Sequence, residues 1–462
     1  MVFSSSIFLF IFLPITIIIY YLLRCQTLKN LWLLLVSLFF YSWGEPKYIL
    51  LMLISIIVNY FLAKIIANSI NKSKKKIVII LSVIFNLVLL FYFKYFNFLI
   101  DNINILTGAD IKFLDITLPI GISFYTFQIM SYTIDVYNNK VPVQKNILNL
   151  GLYISLFPQL IAGPIVRYID IEQQINHRIE KLDDVYEGFK LFTFGLAKKV
   201  LIADTLSNLA DIAFSTNNLP TLLAWLGILA YTMQIYYDFS GYSDMALGLG
   251  RVFGFKFNQN FNYPYISKSP QEFWRRWHIS LSTWFRDYVY IPLGGSKCAT
   301  YRAYTNRFIV FFLTGFWHGA SWNFVIWGLY HGLFLVIDQI MRKIADRLKL
   351  GHLRFGHFST MLMVFVGWVF FRAETIQQAT MYLKAMFKFS SNGFWLSMSY
   401  LNEELIVCII LAIIFSTPFP NKYFKYIDDK YNIESYIVLI LFIITLSYVI
   451  GVGFSPFLYF RF

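Results

Sequence analysis

The sequence predicts an all-α protein that crosses a membrane many times. Hydrophobic residues make up 58% of the 462 residues and charged residues only 14%, whereas a soluble globular chain carries roughly 25% charged residues. Apolar runs of about 20 residues recur down the chain, and a helix of that length crosses a bilayer. We therefore expect residues 1–462 to form one membrane-embedded domain with about 11–12 spanning helices and additional re-entrant helices.

Five spans are predicted in the first third of the chain. No basic stretch precedes the first span and no small-residue cleavage site follows it, so we interpret it as a span and not as a signal peptide. Lys and Arg collect in cytoplasmic loops, so the run NKSKKK at residues 71–76 marks the inner side and the N-terminus lies outside. The predicted spans are residues 5–23, 31–43, 48–68, 77–100 and 118–136.

A broken apolar segment follows at residues 148–165. It contains FPQLIAGPIV, with two prolines and a glycine, and the basic residues Lys145 and Arg167 flank it. A segment with both ends inside is better explained as re-entrant than as spanning. Irregular backbone at membrane depth is tolerated only where protein or a water-filled cavity surrounds it, so the pattern predicts a cavity that is entered from the cytoplasm.

The rest of the chain alternates apolar runs and basic loops in the same way. Residues 251–307 are rich in basic and aromatic residues, which predicts a cytoplasmic or re-entrant region. With this threading the C-terminal tail lies outside, like the N-terminus. The remaining predicted spans are residues 186–211, 221–240, 308–320, 322–341, 358–371, 405–416 and 436–452.

Charge and cysteine content argue against several other classes of protein. The formal net charge of +14 fits the basic loops of a membrane protein better than a nucleic-acid-binding surface. Cys25, Cys298 and Cys408 are far apart and fit neither a disulfide framework nor a metal site. The glycines after residue 247 do not match GxGxxG and follow no strand, which excludes a dinucleotide site. We expect no metal and no bound cofactor.

The stretch SPQEFWRRWHISLSTWFRDYVYIPLGG, residues 269–295, is the first candidate for chemistry. Ser269, Pro270 and Glu272 combine a capping box with proline at the first helical position, which predicts a well-defined helix start. Apolar residues at three- and four-residue steps predict one amphipathic helix. Its face comprises Trp274, Trp277, His278, Leu281, Phe285 and Tyr288. Spacing alone favours a membrane-surface anchor and a site for an anionic ligand about equally.

The second candidate is LTGFWHGASWNFVIWGLYHG, residues 313–332. His318 and His331 each lie within a Gly-x-x-x-Gly pair, which lets helices approach closely. His318 follows cytoplasmic Arg307 by about 16 Å of helix, and GAS after it predicts a chain break. An ionisable residue at this depth is a functional candidate, so we assign function to His318. We interpret His331 as a core histidine that hydrogen-bonds to a neighbouring helix.

Three aspartates are predicted to give structural support. Asp238 and Asp244 lie within QIYYDFSGYSDMALGLGR, and Asp287 follows the arginine-rich stretch. Carboxylates are too hydrophilic to face lipid, so we expect these side chains to hold histidines or arginines in place.

Together, RRWHISLSTWFRDYVYIPLGG and GFWHGASWNFVIWGLYHG resemble the membrane-bound O-acyltransferase family. Further matching patches are YSWGEPKY, LPIGISFYTFQ, FPQLIAGPIVRY and YYDFSGYSDMALGLG, so the resemblance covers almost the whole chain. The closer resemblance is to the bacterial branch that contains alginate and peptidoglycan O-acetyltransferases. IPLGG with WHGASW favours that group over the proteins of D-alanyl transfer to teichoic acid.

The resemblance implies a ring of helices around a thinned membrane centre, where a cytoplasmic funnel and an outer cavity meet at a histidine. It implies that an acyl group passes outward from a cytosolic thioester, for which we expect acetyl-CoA. The invariant family histidine corresponds to His318 and the second histidine to His278. Acyl transfer needs a base for the proton of the attacking hydroxyl, and burial keeps an imidazole neutral. Whether His318 is the base or a transient acyl carrier stays open.

Donor binding is assigned to residues beside His278. Arg275 and Arg276 carry the charge and geometry that bind phosphate groups, which CoA would present. The neighbouring Trp274 and Trp277 complete this set of donor-binding candidates.

The chain ends in the aromatic tail PFLYFRF, residues 456–462. Composition alone fits an aromatic belt that anchors the terminus at the membrane interface. In the resembling bacterial branch, a terminal aromatic motif around a tyrosine is associated with relaying the acyl group, and Tyr459 matches that tyrosine. A tyrosyl ester is a reactive donor, because phenoxide with a pKa of about 10 leaves more readily than an alkoxide.

The expected function is O-acetylation of an extracytoplasmic polysaccharide, of alginate or peptidoglycan type, at the bacterial cytoplasmic membrane. The expected partners are acetyl-CoA, a periplasmic or extracellular acetyltransferase-like protein, the polysaccharide and the lipid bilayer, without nucleic acid. One alternative is a transporter or flippase of an intact acyl donor, but such proteins tend to show repeated halves, which the sequence lacks. A second alternative is a scaffold that recruits a periplasmic acetyltransferase. The sequence does not identify the polysaccharide.

Overall fold

The computed structural model describes residues 1–161, 163–351, 354–388, 392–431, 433–452 and 457–458. Helices dominate these ranges and no β-strand occurs in them, which confirms the all-α class. The chain divides into two compact units. Unit 1 comprises Met1–Phe192 and Tyr242–Asn258, and unit 2 comprises Thr193–Gly241 and Gln259–Phe462.

The helices of the described residues are named α1–α21 in chain order. The first eleven are α1 (Leu13–Leu22), α2 (Gln26–Gly44), α3 (Ile49–Asn68), α4 (Lys72–Thr107), α5 (Ile122–Tyr137), α6 (Ile147–Ser155), α7 (Phe157–Leu160), α8 (Tyr168–Asn176), α9 (Leu182–Ala197), α10 (Asp204–Ser215) and α11 (Thr221–Val252). The other ten are α12 (Pro270–Arg276), α13 (Ile279–Phe285), α14 (Thr300–His318), α15 (Trp322–Leu348), α16 (His357–Arg372), α17 (Ile376–Phe387), α18 (Phe394–Ser399), α19 (Glu403–Phe415), α20 (Phe419–Tyr431) and α21 (Glu434–Val452). π-helical stretches occur at Phe8–Phe12, Lys198–Ala203 and Arg286–Tyr290.

Buried polar side chains join three helices of unit 1. Asn86 of α4 donates its Nδ2–H to Asn59 Oδ1 of α3 at 2.9 Å, and the Ser82 hydroxyl donates to the same oxygen at 2.8 Å. Ser82 Oγ also lies 3.2 Å from Thr133 Oγ1 of α5. Hydrogen bonds between helices within a membrane contribute roughly 0.6–2 kcal/mol each, so this network fixes the packing of α3, α4 and α5.

The segment predicted to be re-entrant consists of two short helices. α6 has nine residues and α7 has four, and Leu156 between them takes φ −52° and ψ 111°. α6 is about 13 Å long, well short of the roughly 30 Å of a bilayer core. Residues Leu150 to Leu160, which include most of α6 and all of α7, are buried. Broken backbone surrounded by protein is what the sequence pattern predicted.

Close contact between α14 and α15 organises the part of unit 2 that carries the candidate site. A Cβ atom at Gly315 would lie 2.2 Å from the carbonyl oxygen of Phe324, and one at Gly328 would lie 2.2 Å from that of Phe311. The two glycines face each other across the helix pair. This confirms that glycines in the sequence let these helices approach closely.

Several helices have the length and apolarity needed to cross a membrane. In the described residues, α3, α4, α15 and residues Glu434–Gly451 of α21 qualify, and α19 with α20, bent by 80°, adds a fifth if the pair counts as one span. The shorter apolar helices include Phe8–Leu22 and α16. The helices α8, α17, α18 and α20 were not predicted, because their polar or short sequences resemble loops.

Candidate active site

A chain break between α14 and α15 positions His318. α14 ends at His318, Gly319 is extended, and α15 begins at Trp322 after Ser321 in the β region. The predicted break at Gly319–Ser321 is therefore confirmed. A Cβ at Gly319 would lie 2.2 Å from the Phe324 ring, so only glycine lets the chain turn here without displacing that ring.

His318 lies inside a cage of aromatic rings. The imidazole is 4% exposed, and its ring centroid lies 5.0 Å from Trp317, 5.1 Å from Trp327 and 5.1 Å from Phe371. The Trp327 ring stands edge-on at 89°. These rings keep water away from the imidazole and restrict its orientation.

His278 lies at a break that the sequence analysis did not predict. The expectation of one amphipathic helix from residue 269 onward is wrong. α12 ends at Arg276, Trp277 is extended, and His278 takes φ 43° and ψ 57° before α13 begins. The predicted helix start is confirmed, since the Ser269 hydroxyl accepts the Glu272 N–H at 3.2 Å.

Asn260 fixes the orientation of the His278 ring. Asn260 Oδ1 accepts hydrogen bonds from the Ser280 N–H at 3.1 Å and the Ser280 hydroxyl at 2.9 Å, so it is an acceptor. His278 Nδ1 lies 3.2 Å from the same oxygen and therefore carries the proton. This tautomer places the lone pair on Nε2. Burial lowers the pKa of His278 to about 3, so the imidazole is neutral at physiological pH.

Trp317 is a common neighbour of both histidines. Its ring centroid lies 6.3 Å from His278 and 5.0 Å from His318. The structure therefore brings the two predicted catalytic residues near each other, with His318 at the end of α14 and His278 at the break between α12 and α13. We call this region the histidine corner, defined by Asn260, His278, Trp317, His318, Asn323 and Trp327.

A basic cavity of about 520 Å³ lies beside the histidine corner, between α12–α13 and α14–α15. Its charged lining residues are Arg275, Arg286, Arg307, Arg342, Lys343 and Asp346. Five cations and one carboxylate create a positive potential that favours an anionic ligand. Arg286 and Arg342 are paired with Asp287 and Asp338, whereas exposed Arg275 has no carboxylate partner among the described residues.

The four donor-binding candidates separate in the structure. Arg275 and Trp274 line the basic cavity. Arg276 does not, because it pairs with Glu272 at 2.9 Å and donates to the Asn262 carbonyl at 3.0 Å. Trp277 packs instead on Trp368, with ring centroids 4.9 Å apart.

Aromatic rings connect the basic cavity to His318. The Trp274 ring lies 5.7 Å from Trp327, and Trp327 lies 5.1 Å from His318. Trp327 thus lies between Trp274 on the cavity wall and the imidazole of His318.

His331 differs from the expectation. The ring is 1% exposed and lies 5.0 Å from Trp274. Neither ring nitrogen has a hydrogen-bond partner among the described residues. The interpretation of His331 as a histidine satisfied by a neighbouring helix is therefore wrong; close packing against Gly367, where a Cβ would lie 2.5 Å from Nε2, leaves no room for a partner on that side.

The aspartates have separate surroundings. Asp238 pairs with Lys199 at 2.7 Å, rather than with a histidine or an arginine. Asp287 pairs with Arg286 at 2.7 Å. Asp244 is half-buried in the part of α11 that belongs to unit 1. Tyr459 lies outside the described residues.

Sequence reasoning missed Asn260 and Lys199. Asn260 lies in the polar loop between α11 and α12, and no periodicity distinguishes it from its neighbours. Lys199 did carry a signal, because it falls within the predicted span 186–211, and a charge in a span indicates a partner and a function. Asp238, in the next predicted span, was the available partner.

Comparison with known proteins identifies the family of this chain. Residues 35–376 match the membrane-bound O-acyltransferase family. A protein named "probable alginate O-acetylase" from Pseudomonas aeruginosa is 46% identical over 408 residues, covering 87% of this chain and 77% of the relative. One of the same name from Pseudomonas putida is 40% identical over 492 residues, covering all of both chains. A peptidoglycan O-acetyltransferase from Helicobacter pylori is 37% identical over 441 residues, covering 87% of this chain and 82% of the relative.

Both the extent of the match and the identity to full-length relatives exceed what fold similarity alone would produce. The buried histidines and the glycine-mediated helix contact fall within the matched residues. This chain belongs to the membrane-bound O-acyltransferase family and is a multi-pass membrane acyltransferase.

Proposed function

We propose that this protein is an O-acetyltransferase that takes an acetyl group from acetyl-CoA in the cytosol and delivers it for O-acetylation of a polysaccharide outside the membrane. The observation that carries the proposal is a buried histidine at a helix break, joined by tryptophans to a basic cavity. The relatives named as alginate O-acetylase and peptidoglycan O-acetyltransferase support the acceptor class.

The basic cavity is the proposed donor site. Arg275 is exposed on the cavity wall without a carboxylate partner among the described residues, and a guanidinium binds phosphate through two parallel hydrogen bonds. The CoA phosphates would lie against this wall, with the thioester arm following Trp274 and Trp327 toward His318. Arg276, held by Glu272, positions the backbone of α12 and does not contact the donor.

The histidine corner supplies the base in this proposal. A hydroxyl oxygen attacks the thioester carbonyl, a C–O bond forms and the C–S bond breaks. His318 takes the hydroxyl proton and returns it to the departing sulfur, so that free CoA thiol leaves. His278 is neutral and carries its lone pair on Nε2, so it assists the same proton transfer from the break between α12 and α13.

Tyr459 is the proposed first acceptor. The phenol would receive the acetyl group at the His318 side, and a periplasmic or extracellular partner protein would collect it from the tyrosyl ester. Support comes from the two described tail residues before Tyr459. Phe457 is 1% exposed and Leu458 is 5% exposed, whereas a tail that only anchored the terminus in lipid would expose its rings.

The reaction is proposed to run at the bacterial cytoplasmic membrane with both termini outside. Labelling of introduced cysteines tests this orientation in intact cells. A cysteine at Lys75, in the basic loop, should react only after the inner face is opened, and one at Asn104 should react with an impermeant reagent from outside. The opposite labelling would reverse the orientation and place the basic cavity outside.

Purified protein in liposomes with radiolabelled acetyl-CoA tests the activity. We expect transfer of label to protein and then to added polysaccharide with its partner, and no accumulation of intact acetyl-CoA in the vesicles. Uptake of the intact donor would instead identify a transporter. Neither transfer nor uptake, in vesicles that contain the folded protein, would identify a scaffold.

The Tyr459→Phe variant tests the relay. The substitution keeps the ring and removes the nucleophilic oxygen. Polysaccharide acetylation should stop while the amount of protein in the membrane stays the same. Full activity of the variant would limit the tail to an anchoring role.

A further inference from the structure

A buried ion group lies in unit 2 where the sequence predicted apolar spans. Lys199 Nζ lies 2.7 Å from Asp238 Oδ1, and both side chains are 2% exposed. The ammonium also lies 2.7 Å from Asp204 Oδ1, whose side chain is 21% exposed. A buried ion pair is often no more stabilising than well-packed apolar residues, and charges within spans mark functional positions. The group is therefore a candidate for a role besides stability.

The local backbone is also unusual at this position. Lys199 belongs to the π-helical stretch Lys198–Ala203, which interrupts the regular helix between α9 and α10. π-helical turns are rare and occur frequently at functional sites. α11 approaches the same turn closely, since a Cβ at Gly241 would lie 2.7 Å from the Gly195 carbonyl oxygen. The π-helical stretch and the close approach of α11 thus place the charged groups of Lys199 and Asp238 within ion-pair distance.

The ion group holds the C-terminal segment. Asp238 uses Oδ1 for Lys199 and accepts the backbone N–H of Leu458 on Oδ2 at 2.9 Å. Lys199 Nζ lies 4.8 Å from the centroid of the Phe457 ring, within the range of a cation–π interaction. Both tail residues are buried. Chain ends are poorly ordered unless contacts hold them in place. Here Asp238 and Lys199 provide those contacts.

A backbone hydrogen bond fixes register, which a side-chain contact alone does not. An apolar tail that was only packed in a groove would slide by a residue at little cost. The Asp238 carboxylate accepts one particular N–H, that of Leu458, and one residue directly follows Leu458 in the sequence. That residue is Tyr459.

We infer that Asp238, held by Lys199, is the positioning residue that sets the C-terminal segment in register for Tyr459 to receive the acyl group. This inference rests on the proposed function, in which Tyr459 is the first acceptor. Asp238 itself does not touch the donor or the reacting atoms. Its effect on the reaction is exerted through the Leu458 N–H.

Two matched double variants separate the hydrogen bond from the buried charges. Lys199→Met with Asp238→Asn removes both charges but keeps an oxygen that accepts the Leu458 N–H. Lys199→Met with Asp238→Leu removes both charges and the acceptor, with a side chain of similar volume. Neither variant leaves an unpaired charge at position 199 or 238, and such neutral replacements are often tolerated. Both proteins are compared with the unmodified chain after confirmation of monodisperse behaviour in detergent.

Carboxypeptidase digestion followed by intact mass measurement reports the placement of the tail. In the unmodified chain and in the variant with Asp238→Asn, digestion from the C-terminus should not remove Leu458, because the anchored segment cannot enter the protease. Digestion of the Leu variant should continue past Leu458 and Phe457. In parallel, kcat for acetyl transfer should be at least tenfold lower for the Leu variant than for the Asn variant, with an equal KM for acetyl-CoA.

Each outcome has a definite consequence. Digestion that stops at the same residue in both variants would overturn the anchor, whatever Tyr459→Phe does to transfer. If digestion differs between the two variants but kcat does not, Asp238 anchors the tail without affecting the reaction. That result would overturn the positioning role. If the relay proposal itself is wrong, the Tyr459→Phe variant will keep full activity, which is a separate measurement.

A second pair of variants avoids the protein interior. Leu458→Pro removes the donated N–H, and Leu458→Ala keeps it, while both lose the leucine side chain. The ion pair is untouched in both, so folding of the spans is not at risk. We expect kcat of the proline variant to be at least tenfold below that of the alanine variant; equal values would contradict the inference even if the double variants fail to fold.

Discussion

Two buried polar regions of the molecule differ in how their polar atoms are satisfied. In unit 1, the Arg178 cluster consists of Arg178, Tyr20, Asn30, Lys29 and Glu180. Arg178 Nε donates to Tyr20 Oη at 3.0 Å and to the Phe253 carbonyl at 2.9 Å, and Nη1 donates to Asn30 Oδ1 at 2.7 Å. Lys29 pairs with Glu180 at 3.0 Å. The chain itself supplies these partners.

The histidine corner in unit 2 is built in the opposite way. Aromatic rings surround the imidazoles, and several buried polar atoms nearby lack hydrogen-bond partners among the described residues. These atoms include Asn260 Nδ2, Asn323 Oδ1 and Trp327 Nε1. Each buried polar atom without a partner costs roughly 1–3 kcal/mol.

We propose that this difference separates residues that stabilise the fold from residues that take part in the reaction. A cluster whose partners are all internal adds rigidity, whereas unsatisfied buried groups lower stability and are retained where a site needs them. Substitution in the Arg178 cluster should therefore reduce stability with little effect on chemistry. Substitution in the histidine corner should reduce chemistry with little effect on stability.

His318→Gln should have the largest effect on the reaction. A positioned general base contributes about 10²- to 10⁴-fold, so acetyl transfer should fall by that factor, and His318→Ala should abolish polymer acetylation. The amount of protein in the membrane should not change. His331→Gln is the matched control, because His331 is equally buried but lies outside the histidine corner, and most of the activity should remain. Transfer by the His318 variants near the unmodified rate would remove His318 from the mechanism.

Arg178→Met should have the largest effect on stability. The apolar stem is kept, but the Phe253 carbonyl and Asn30 lose a charged donor, and Glu180 is left short of positive charge. Breaking a buried charged network costs about 3–5 kcal/mol, which denaturant unfolding in detergent would measure. Arg24→Met, at an exposed position of the same unit, should change stability by less than about 0.5 kcal/mol. Similar losses for both variants would contradict the structural role of the cluster.

The fold was predictable where local sequence determines local structure. Ser269 and Glu272 predicted the start of α12, and GAS predicted the break after His318, because capping groups and glycines act within a few residues. Gly315 and Gly328 indicated close helix packing for the same reason. The apolar runs and their basic flanks predicted the all-α membrane class.

The geometry of the site was less predictable, because it depends on contacts between distant segments. The apolar spacing around His278 continues across the break at Trp277, so periodicity gave no indication of a left-handed residue. Contact between Asn260 and His278 spans 18 positions, and that between Lys199 and Asp238 spans 39. Only folding of the chain brings these partners together.

The backbone at His278 provides a test that separates strain from chemistry. With φ 43°, the position suits Asn, whereas a left-handed conformation costs a β-branched residue roughly 1–2 kcal/mol. His278→Asn and His278→Val should both impair transfer, since each removes the imidazole. Only the valine variant should lose that additional stability relative to asparagine, as measured by denaturant unfolding. Equal stability of the two variants would show that the backbone relaxes without cost at this position.

The smallest expected effect concerns an arginine that differs from Arg178 in having no carboxylate partner among the described residues. Arg275→Gln should raise KM for acetyl-CoA about tenfold, or about 1.4 kcal/mol, because one charge-assisted hydrogen bond to phosphate is lost. kcat should stay the same, since the lost contact is made equally before and during the reaction. The dependence of KM on salt should also weaken, because exposed charges are screened by ions. Arg24→Gln is the control for a general change in charge and should not alter KM. A fall in kcat at constant KM would instead mean that Arg275 acts on the transition state and that the basic cavity is part of the reacting site.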